Sequence, residues 1–194
     1  MSKIIQQIIT FLFLILALMT SAQTNNTPDF AYPKQVADNA QKNITTSLNT
    51  GNGKALVKSL VEYSIAQSLI DADNLPETIE RIEEIAAKEK DPCIKAILNI
   101  LLLDIYDGIY NYNRWKYDKR DNPLLPLPKD YNTWDGNQFK HKILELCDSA
   151  LSNPASLQAS SLREYASIIT HNSLTFQFYP TLYDFIARHI IEKT

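Results

Sequence analysis

The sequence has 194 residues, of which 45% are hydrophobic and 21% charged, and its formal net charge is −3. These proportions are ordinary for a globular protein and exclude wholesale disorder. The mildly acidic balance argues against nucleic-acid binding, which favours strongly basic surfaces. We expect one domain of ordinary size, large enough to bury a core without disulfide support.

The first residues have the layout of a cleavable secretory signal. Lys3 provides a positive start, a nearly unbroken apolar run follows, and Ala22 completes a small-residue cleavage site. The apolar run is shorter than the roughly 18 residues of a membrane span. We therefore predict a signal peptide over residues 1–22, a polar leader over 23–29 and a single helical domain over 30–194. The mature protein is expected in the periplasm, cell envelope or exterior, without stable membrane insertion.

After the leader, apolar residues at helical spacing alternate with residues that begin or break helices. The predicted helices begin at first-turn prolines or at capping side chains. Their predicted starts are Pro33, Asn52 or Gly53, Pro76, Asp91 with Pro92, Asp135, and Pro180. A shorter helical stretch is predicted near residues 161–169, and the aromatic-rich residues 174–179 are a candidate extended segment.

The fourth predicted helix is apolar around most of its circumference, from Ile94 to Ile109. Such a helix is typically central in a core, and Asn99 and Asp104 argue against a membrane span. Short turns between successive helices favour antiparallel neighbours. We therefore predict an all-α fold of antiparallel helical hairpins that form a bundle or a short, irregular solenoid.

Residue patterns for catalysis or metal binding are not found. His141, His171 and His189 are widely spaced, which argues against a zinc site. The sequence has no Gly-x-Ser-x-Gly elbow and no glycine-rich phosphate loop. Cys93 and Cys147 lie in apolar helical patterns and are interpreted as buried free thiols, although the sequence leaves a disulfide open. We predict a non-enzyme with no metal and no cofactor.

The acidic side chains of the third predicted helix are interpreted as a solvated face. Glu80, Glu83 and Glu84 have Arg81 and Lys88 on the same helix, and this spacing favours ion pairs within the helix. The three carboxylates are not expected to form a catalytic group.

Helical periodicity stops between Tyr110 and Trp134, where three prolines predict a long ordered loop. Five of the ten tyrosines and both tryptophans lie between residues 106 and 134. The rings are interpreted first as anchors that hold the loop on the helices, and alternatively as a binding platform. Asp118 and Asp121 can neutralise the basic side chains there. The candidate interaction surface is Tyr110, Tyr112, Arg114, Trp115, Tyr117, Tyr131 and Trp134.

Five short sequence segments, spread through the chain, are similar to segments of a known protein family. They are FAYPKQ at 30–35, IEEIAAKEKDP at 82–92, YNRW at 112–115, LPKDYNTWDGNQF at 127–139 and YPTLYDF at 179–185. Together they resemble the N-terminal helical region of large bacterial alpha-2-macroglobulin-like envelope proteins. The phrases are structural and identify no catalytic residue.

The resemblance implies a secreted or periplasmic protein whose relatives entrap proteases through a bait segment and sometimes a Cys-Gly-Glu-Gln thioester. Neither Cys93 nor Cys147 begins that motif, so protease inhibition does not transfer to this polypeptide by itself. We expect a non-catalytic leading module, which docks on β-sandwich domains encoded after Thr194 or on an envelope protein partner. The alternative is a free-standing glycan- or peptide-binding protein of the envelope, which requires exposed, parallel rings at Trp115 and Trp134.

Overall fold

The computed structural model describes residues 28–169, 171–172 and 174–193, so the predicted signal peptide lies outside the described residues. Within those ranges every regular element is helical, as predicted, and an isolated antiparallel bridge joins Ser161 to Thr181. The α-helices are α1 Pro33–Thr50, α2 Gly53–Ile70, α3 Leu75–Lys88, α4 Pro92–Tyr112, α5 Arg114–Tyr117, α6 Gly136–Ala150, α7 Pro154–Ala159, α8 Thr175–Phe178 and α9 Leu182–Lys193. Short 3-10 helices span Ala72–Asn74, Tyr131–Thr133 and Leu162–Tyr165.

Local capping sets several helix boundaries where the sequence predicts them. The Asp91 carboxylate accepts the Cys93 backbone N–H at 2.8 Å, which satisfies one of the unpaired donors of α4. Asp135 and Gln138 form a reciprocal capping box at the start of α6. Gly51 ends α1 with a φ of 67°, a left-handed conformation that glycine adopts without steric cost.

Helix α4 is the central element, which confirms the prediction from its apolar circumference. It contacts α2, α3, α6, α7 and α9. Its buried side chains include Leu98 and Leu103, both with 0% exposure. One continuous buried cluster extends from Ile44 of α1 to Ile190 of α9, with α4 running through it. Burying each large aliphatic side chain contributes about 1.5–3 kcal/mol, so this cluster dominates the stabilisation of the fold. No helix in the described part of the chain is both long and apolar enough to cross a membrane.

Two segments differ from the prediction. Residues 174–179 are not extended, because the Asn172 carboxamide accepts the backbone N–H groups of Leu174 and Thr175 and starts helix α8 there. Residues 161–169 do not form one helical stretch. Instead, α7 begins at Pro154 with Asn153 as its cap, and a separate 3-10 helix follows. Local side-chain hydrogen bonds from Asn153 and Asn172 therefore favour the starts of α7 and α8.

The acidic side chains of α3 pair differently from the expected pattern. One predicted pair forms within the helix, but two glutamates pair with other elements, because α6 and the loop before it bring lysines to this face. The pairs are Glu84 with Lys88 at 3.7 Å, Glu83 with Lys142 at 3.0 Å and Glu80 with Lys129 at 2.6 Å.

A largely buried ionic cluster joins α4 to the last helix. His189 Nε2 lies 2.8 Å from a carboxylate oxygen of Asp104. Lys193 Nζ lies 3.3 Å from Asp104 and 2.9 Å from Asp107. Burial alone would lower the pKa of Lys193, but the hydrogen bond to Asp107 and the two negative charges raise it above the usual value. The cluster therefore holds α9 against the centre of the core.

Candidate interaction surface

Four of the seven predicted surface residues lie inside the protein. Tyr110, Tyr117, Tyr131 and Trp134 are 5%, 1%, 8% and 4% exposed, respectively. They therefore act as anchors of the segment between α4 and α6, which is the first interpretation of the sequence. The exposed ring that the glycan-binding alternative requires at Trp134 is not present.

The buried rings surround Phe139, a fully buried residue of α6. The centroid of the Phe139 ring lies 4.5 Å from that of Tyr117, 5.1 Å from that of Trp134 and 5.7 Å from that of Tyr110. Tyr106 completes the group by stacking on Trp134. Aromatic rings in tilted, edge-on and offset arrangements attract one another at these separations. This attraction adds to the stabilisation from the apolar area that the rings bury. We call these six residues the aromatic cluster: Tyr106, Tyr110, Tyr117, Tyr131, Trp134 and Phe139.

Hydrogen bonds fix the backbone of the loop that carries these rings. The Trp134 indole N–H donates to the Pro128 carbonyl at 2.7 Å, and the Arg120 guanidinium donates to the Trp134 carbonyl at 2.9 Å. Gln138 donates to the Pro123 carbonyl at 2.8 Å. A loop without helix or strand must satisfy its backbone groups through such contacts. The segment is therefore held together by its own hydrogen bonds and is joined to α6 through Gln138.

Asp118 links α4 to α5 and lies against the first residue of α6. It accepts hydrogen bonds from the Tyr110 hydroxyl at 2.9 Å and from Arg114 Nε at 3.1 Å. These hydrogen bonds, the one from Tyr110 most of all, lower the pKa of the Asp118 carboxyl. A Cβ on Gly136 would lie 2.2 Å from an Asp118 oxygen, so this approach requires glycine at residue 136. Asp118 also neutralises part of the basic charge around it, as predicted.

The buried phenols of the aromatic cluster are poor proton donors for chemistry. Burial raises the pKa of Tyr106 and of Tyr131 far above the ordinary value, and the charge of Glu83 raises that of Tyr106 further. The Tyr106 hydroxyl donates to Glu83 at 3.1 Å. Both phenols stay protonated at any physiological pH, which suits a structural role.

The remaining three predicted residues lie on the outside of this anchored segment. Trp115 is 68% exposed, the most exposed large hydrophobic side chain in the described part of the chain. Lys119 Nζ lies 5.4 Å from its ring centroid, in cation–π contact. Arg114 is exposed beside it, and Tyr112 is half-buried. The structure thus separates Trp115 from the buried rings although Tyr117 follows it by only two residues.

Two exposed leucines in the same loop were not singled out by the sequence pattern. Leu124 is 45% exposed and Leu125 is 59% exposed. A proline-rich segment has no apolar periodicity, so the sequence contains no signal that would identify these side chains as outward-facing. We define the outer face as Trp115, Lys119, Leu124 and Leu125.

Cys93 and Cys147 are both free and buried, and burial raises the pKa of the Cys147 thiol. The Cys93 sulfur lies 3.1 Å from the Ser160 hydroxyl. No group of three or more His, Cys, Asp or Glu residues with metal-binding geometry occurs among the described residues.

Comparison of the chain with protein-family models, with curated proteins and with solved structures gives no match.

Proposed function

We propose that this chain is a non-catalytic interaction module and that the outer face is its docking surface. The observation that carries the proposal is the 68% exposure of Trp115 on a segment whose neighbouring rings are almost completely buried. Tryptophan is highly buried on average, and it is enriched among residues that dominate binding energy at interfaces. An exposed tryptophan beside a fixed backbone is typical of such a residue.

Preorganisation supports this role. Tyr117 packs into the aromatic cluster two residues after Trp115, and Asp118 holds Arg114 one residue before it. Because the backbone of α5 is held at both ends, binding through Trp115 would order few additional groups. Less conformational entropy is then lost on association.

The charges around Trp115 indicate the chemistry of the partner. Lys116 and Lys119 lie close to aromatic rings, whereas Arg114 is paired with Asp118 and Arg120 donates to backbone carbonyls. The partner is therefore proposed to offer an apolar pocket with carboxylates at its rim. Such complementarity favours specificity and the rate of encounter.

We further propose that the partner is the polypeptide that follows in a longer, exported alpha-2-macroglobulin-like protein. The resemblance of the five sequence phrases supports this identity, and the signal-like layout of residues 1–22 supports export. Contacts between successive helices, α1 with α2 and α3 with α4, support an arrangement of stacked hairpins in a bundle or short solenoid.

The test begins with the nucleotide sequence after the codon for Thr194. We expect a continuing frame that encodes β-sandwich domains. In the longer protein, we expect the fluorescence of Trp115 to shift to shorter wavelength and to be shielded from iodide, and Trp115→Ala to weaken the contact between the module and the next domain. A frame that stops at Thr194, or an equally exposed Trp115 in the longer protein, would contradict the proposal.

A further inference from the structure

A second apolar surface lies at the opposite end of α4 from the outer face. It is a groove of about 630 Å³, formed where the turn between α1 and α2 lies beside the turn between α3 and α4. Leu48, Leu56 and Ile85 contribute its apolar lining. Asp91 at its rim caps the first turn of α4, whereas Trp115 follows the last turn. Helix α4 has 21 residues at about 1.5 Å each, so the two surfaces are roughly 30 Å apart along the helix.

The apolar stripe of α1 continues into this groove beyond the part that the fold covers. Val36, Ala40 and Ile44 follow one another at four-residue steps and are 8%, 1% and 0% exposed, respectively. Leu48 is the next member of the stripe, but it is 51% exposed and lines the groove. An exposed leucine beside an apolar groove forms one continuous apolar patch, which is typical of an interaction site.

Two basic side chains of the groove are engaged by their neighbours. The Arg81 guanidinium donates to the Gln41 carboxamide and lies 4.8 Å from the centroid of the Tyr63 ring, so it is held against α1 and α2. Lys88 Nζ lies 3.7 Å from a carboxylate oxygen of Glu84. Both cations are therefore held in place, and the charge of Lys88 is offset.

Two carboxylates are fixed where the groove meets the start of α4. Glu89 accepts the backbone N–H groups of Lys90 and Asp91 at 2.7 and 2.8 Å. Asp91 in turn accepts the backbone N–H of Cys93 at 2.8 Å. A carboxylate accepts several hydrogen bonds, so both can also accept from an ammonium group, and the exposed Lys90 between them offsets at most one of the two charges. The groove therefore combines an apolar floor with carboxylates at its rim, which is the chemistry that the outer face requires of its partner.

We propose that this groove receives the outer face of a second copy of the chain. Trp115 of one copy packs against Leu48 of the other, and Lys119 of the first copy approaches the carboxylates of Glu89 and Asp91. The exposed apolar side chains then leave water, and the basic side chain meets an acidic rim. The chain itself thus supplies a partner, provided that the outer face is a docking surface as proposed above.

The two surfaces differ and lie at opposite ends of α4, so the contact is heterologous rather than symmetric. Each added copy leaves one outer face and one groove free, so copies add in series. A contact limited to one groove is smaller than a standard interface, so the association should be weak and reversible. One outer face cannot hold two partners. Covering of Trp115 by a following domain and addition of another copy therefore exclude each other.

The experiment is sedimentation velocity of the protein from about 10 µM to about 1 mM, a range suited to a weak association. We expect the weight-average sedimentation coefficient to rise with concentration. Trp115→Ala and Leu48→Lys should each weaken the association about tenfold or more, because each removes one side of the contact. The matched controls are Phe178→Ala and Ile191→Lys, at side chains that are both 66% exposed and lie outside the two surfaces. Both controls should associate as the unmodified protein does.

A mixture of the two interface variants tests the head-to-tail geometry. Trp115→Ala keeps an intact groove, and Leu48→Lys keeps an intact outer face. Neither variant should associate alone, but an equimolar mixture should form one-to-one complexes that grow no further. A symmetric contact between two outer faces would instead be insensitive to Leu48→Lys, and that result would overturn the inference.

Each variant should keep the circular dichroism spectrum of the unmodified protein, because the replaced side chains are at least half exposed and lysine is favourable near the C-terminal end of a helix. A protein that stays monomeric at about 1 mM would overturn the inference. So would an equal loss of association in the two controls. A monomeric chain whose Trp115 is nevertheless shielded in the longer protein would exclude the second copy and leave the docking surface standing. Association through Trp115, combined with an exposed Trp115 in the longer protein, would exclude the following domain instead.

Discussion

The indole ring of Trp134 stacks on the phenol ring of Tyr106, with centroids 5.5 Å apart and planes 11° from parallel. Tyr106 belongs to α4, and Trp134 lies at the end of the long loop, so this contact closes the segment onto the central helix. The indole N–H also donates a hydrogen bond to the Pro128 carbonyl, so the buried polar group of the side chain is paired while its ring packs in the core. The loop is therefore part of the core, and Trp115 is carried on a fixed base.

The two tryptophans provide a matched pair for stability measurements. Trp134→Ala should lower the free energy of unfolding by about 3–5 kcal/mol, because it removes a large buried ring from the aromatic cluster. Trp115→Ala should change it by no more than about 0.5 kcal/mol, because that ring is mostly in solvent. Urea denaturation followed by circular dichroism measures both. Similar losses for the two variants would show that the loop is not anchored as described.

The approach of Gly136 to Asp118 predicts a coupled effect. Gly136→Ala should destabilise the protein by about 1–3 kcal/mol, because the new methyl group displaces the carboxylate that Tyr110 and Arg114 contact. In an Asp118→Ala background the same substitution should be neutral or stabilising, since alanine is the better helix former. A double-mutant cycle in urea measures the coupling. Additive effects would mean that the two residues do not touch.

The Asp118 carboxylate also predicts a pH dependence. Its pKa is lowered in the folded protein, so its stabilisation is present above the unfolded value near 3.8 and is lost as the pH falls through the lower folded value. Asp118→Asn should therefore be less stable than the unmodified protein at pH about 6, and the difference should shrink towards pH about 2. The denaturation midpoint at each pH gives the comparison. A difference that does not change with pH would argue against this assignment.

The ionic cluster between α4 and α9 predicts a local effect. Asp104→Asn should reduce the amide-exchange protection of α9, because it weakens contacts to His189 and Lys193, while the exchange of α1 and α2 stays unchanged. Hydrogen exchange with mass spectrometry resolves the helices separately. The matched control is Asp148→Asn, at an exposed carboxylate of α6. Equal loosening of all helices would contradict a role confined to α9.

Features that depend on neighbouring residues were accessible from the sequence. The caps at Asp91 and Asp135, the turn at Gly51 and the central position of α4 all follow from local chemistry and from one helix's own pattern. Caps, turn glycines and the apolar pattern of one helix depend only on residues close together in the chain. They can therefore be read from a single sequence. The all-helical class of the fold follows from the same signals.

The positions of the two tryptophans were not accessible in this way. Trp134 is buried because it meets Tyr106 from another element, and Trp115 is exposed because Tyr117 takes the inward position beside it. Both tryptophans lie in a segment without apolar periodicity. The sequence therefore contains no signal that distinguishes the buried ring from the exposed one. Glu83 was expected to pair within its own helix, whereas its partner Lys142 comes from a distant part of the chain. Pairings that are non-local in sequence were the main source of error.

The central claim is that the segment between α4 and α6 is anchored with Trp134 inside and Trp115 outside. Acrylamide quenching of two single-tryptophan variants, Trp115→Phe and Trp134→Phe, tests it directly. We expect the variant that retains only Trp134 to emit at short wavelength and to resist quenching, and the variant that retains only Trp115 to be quenched almost as free tryptophan is. Equal quenching of the two variants would contradict the account.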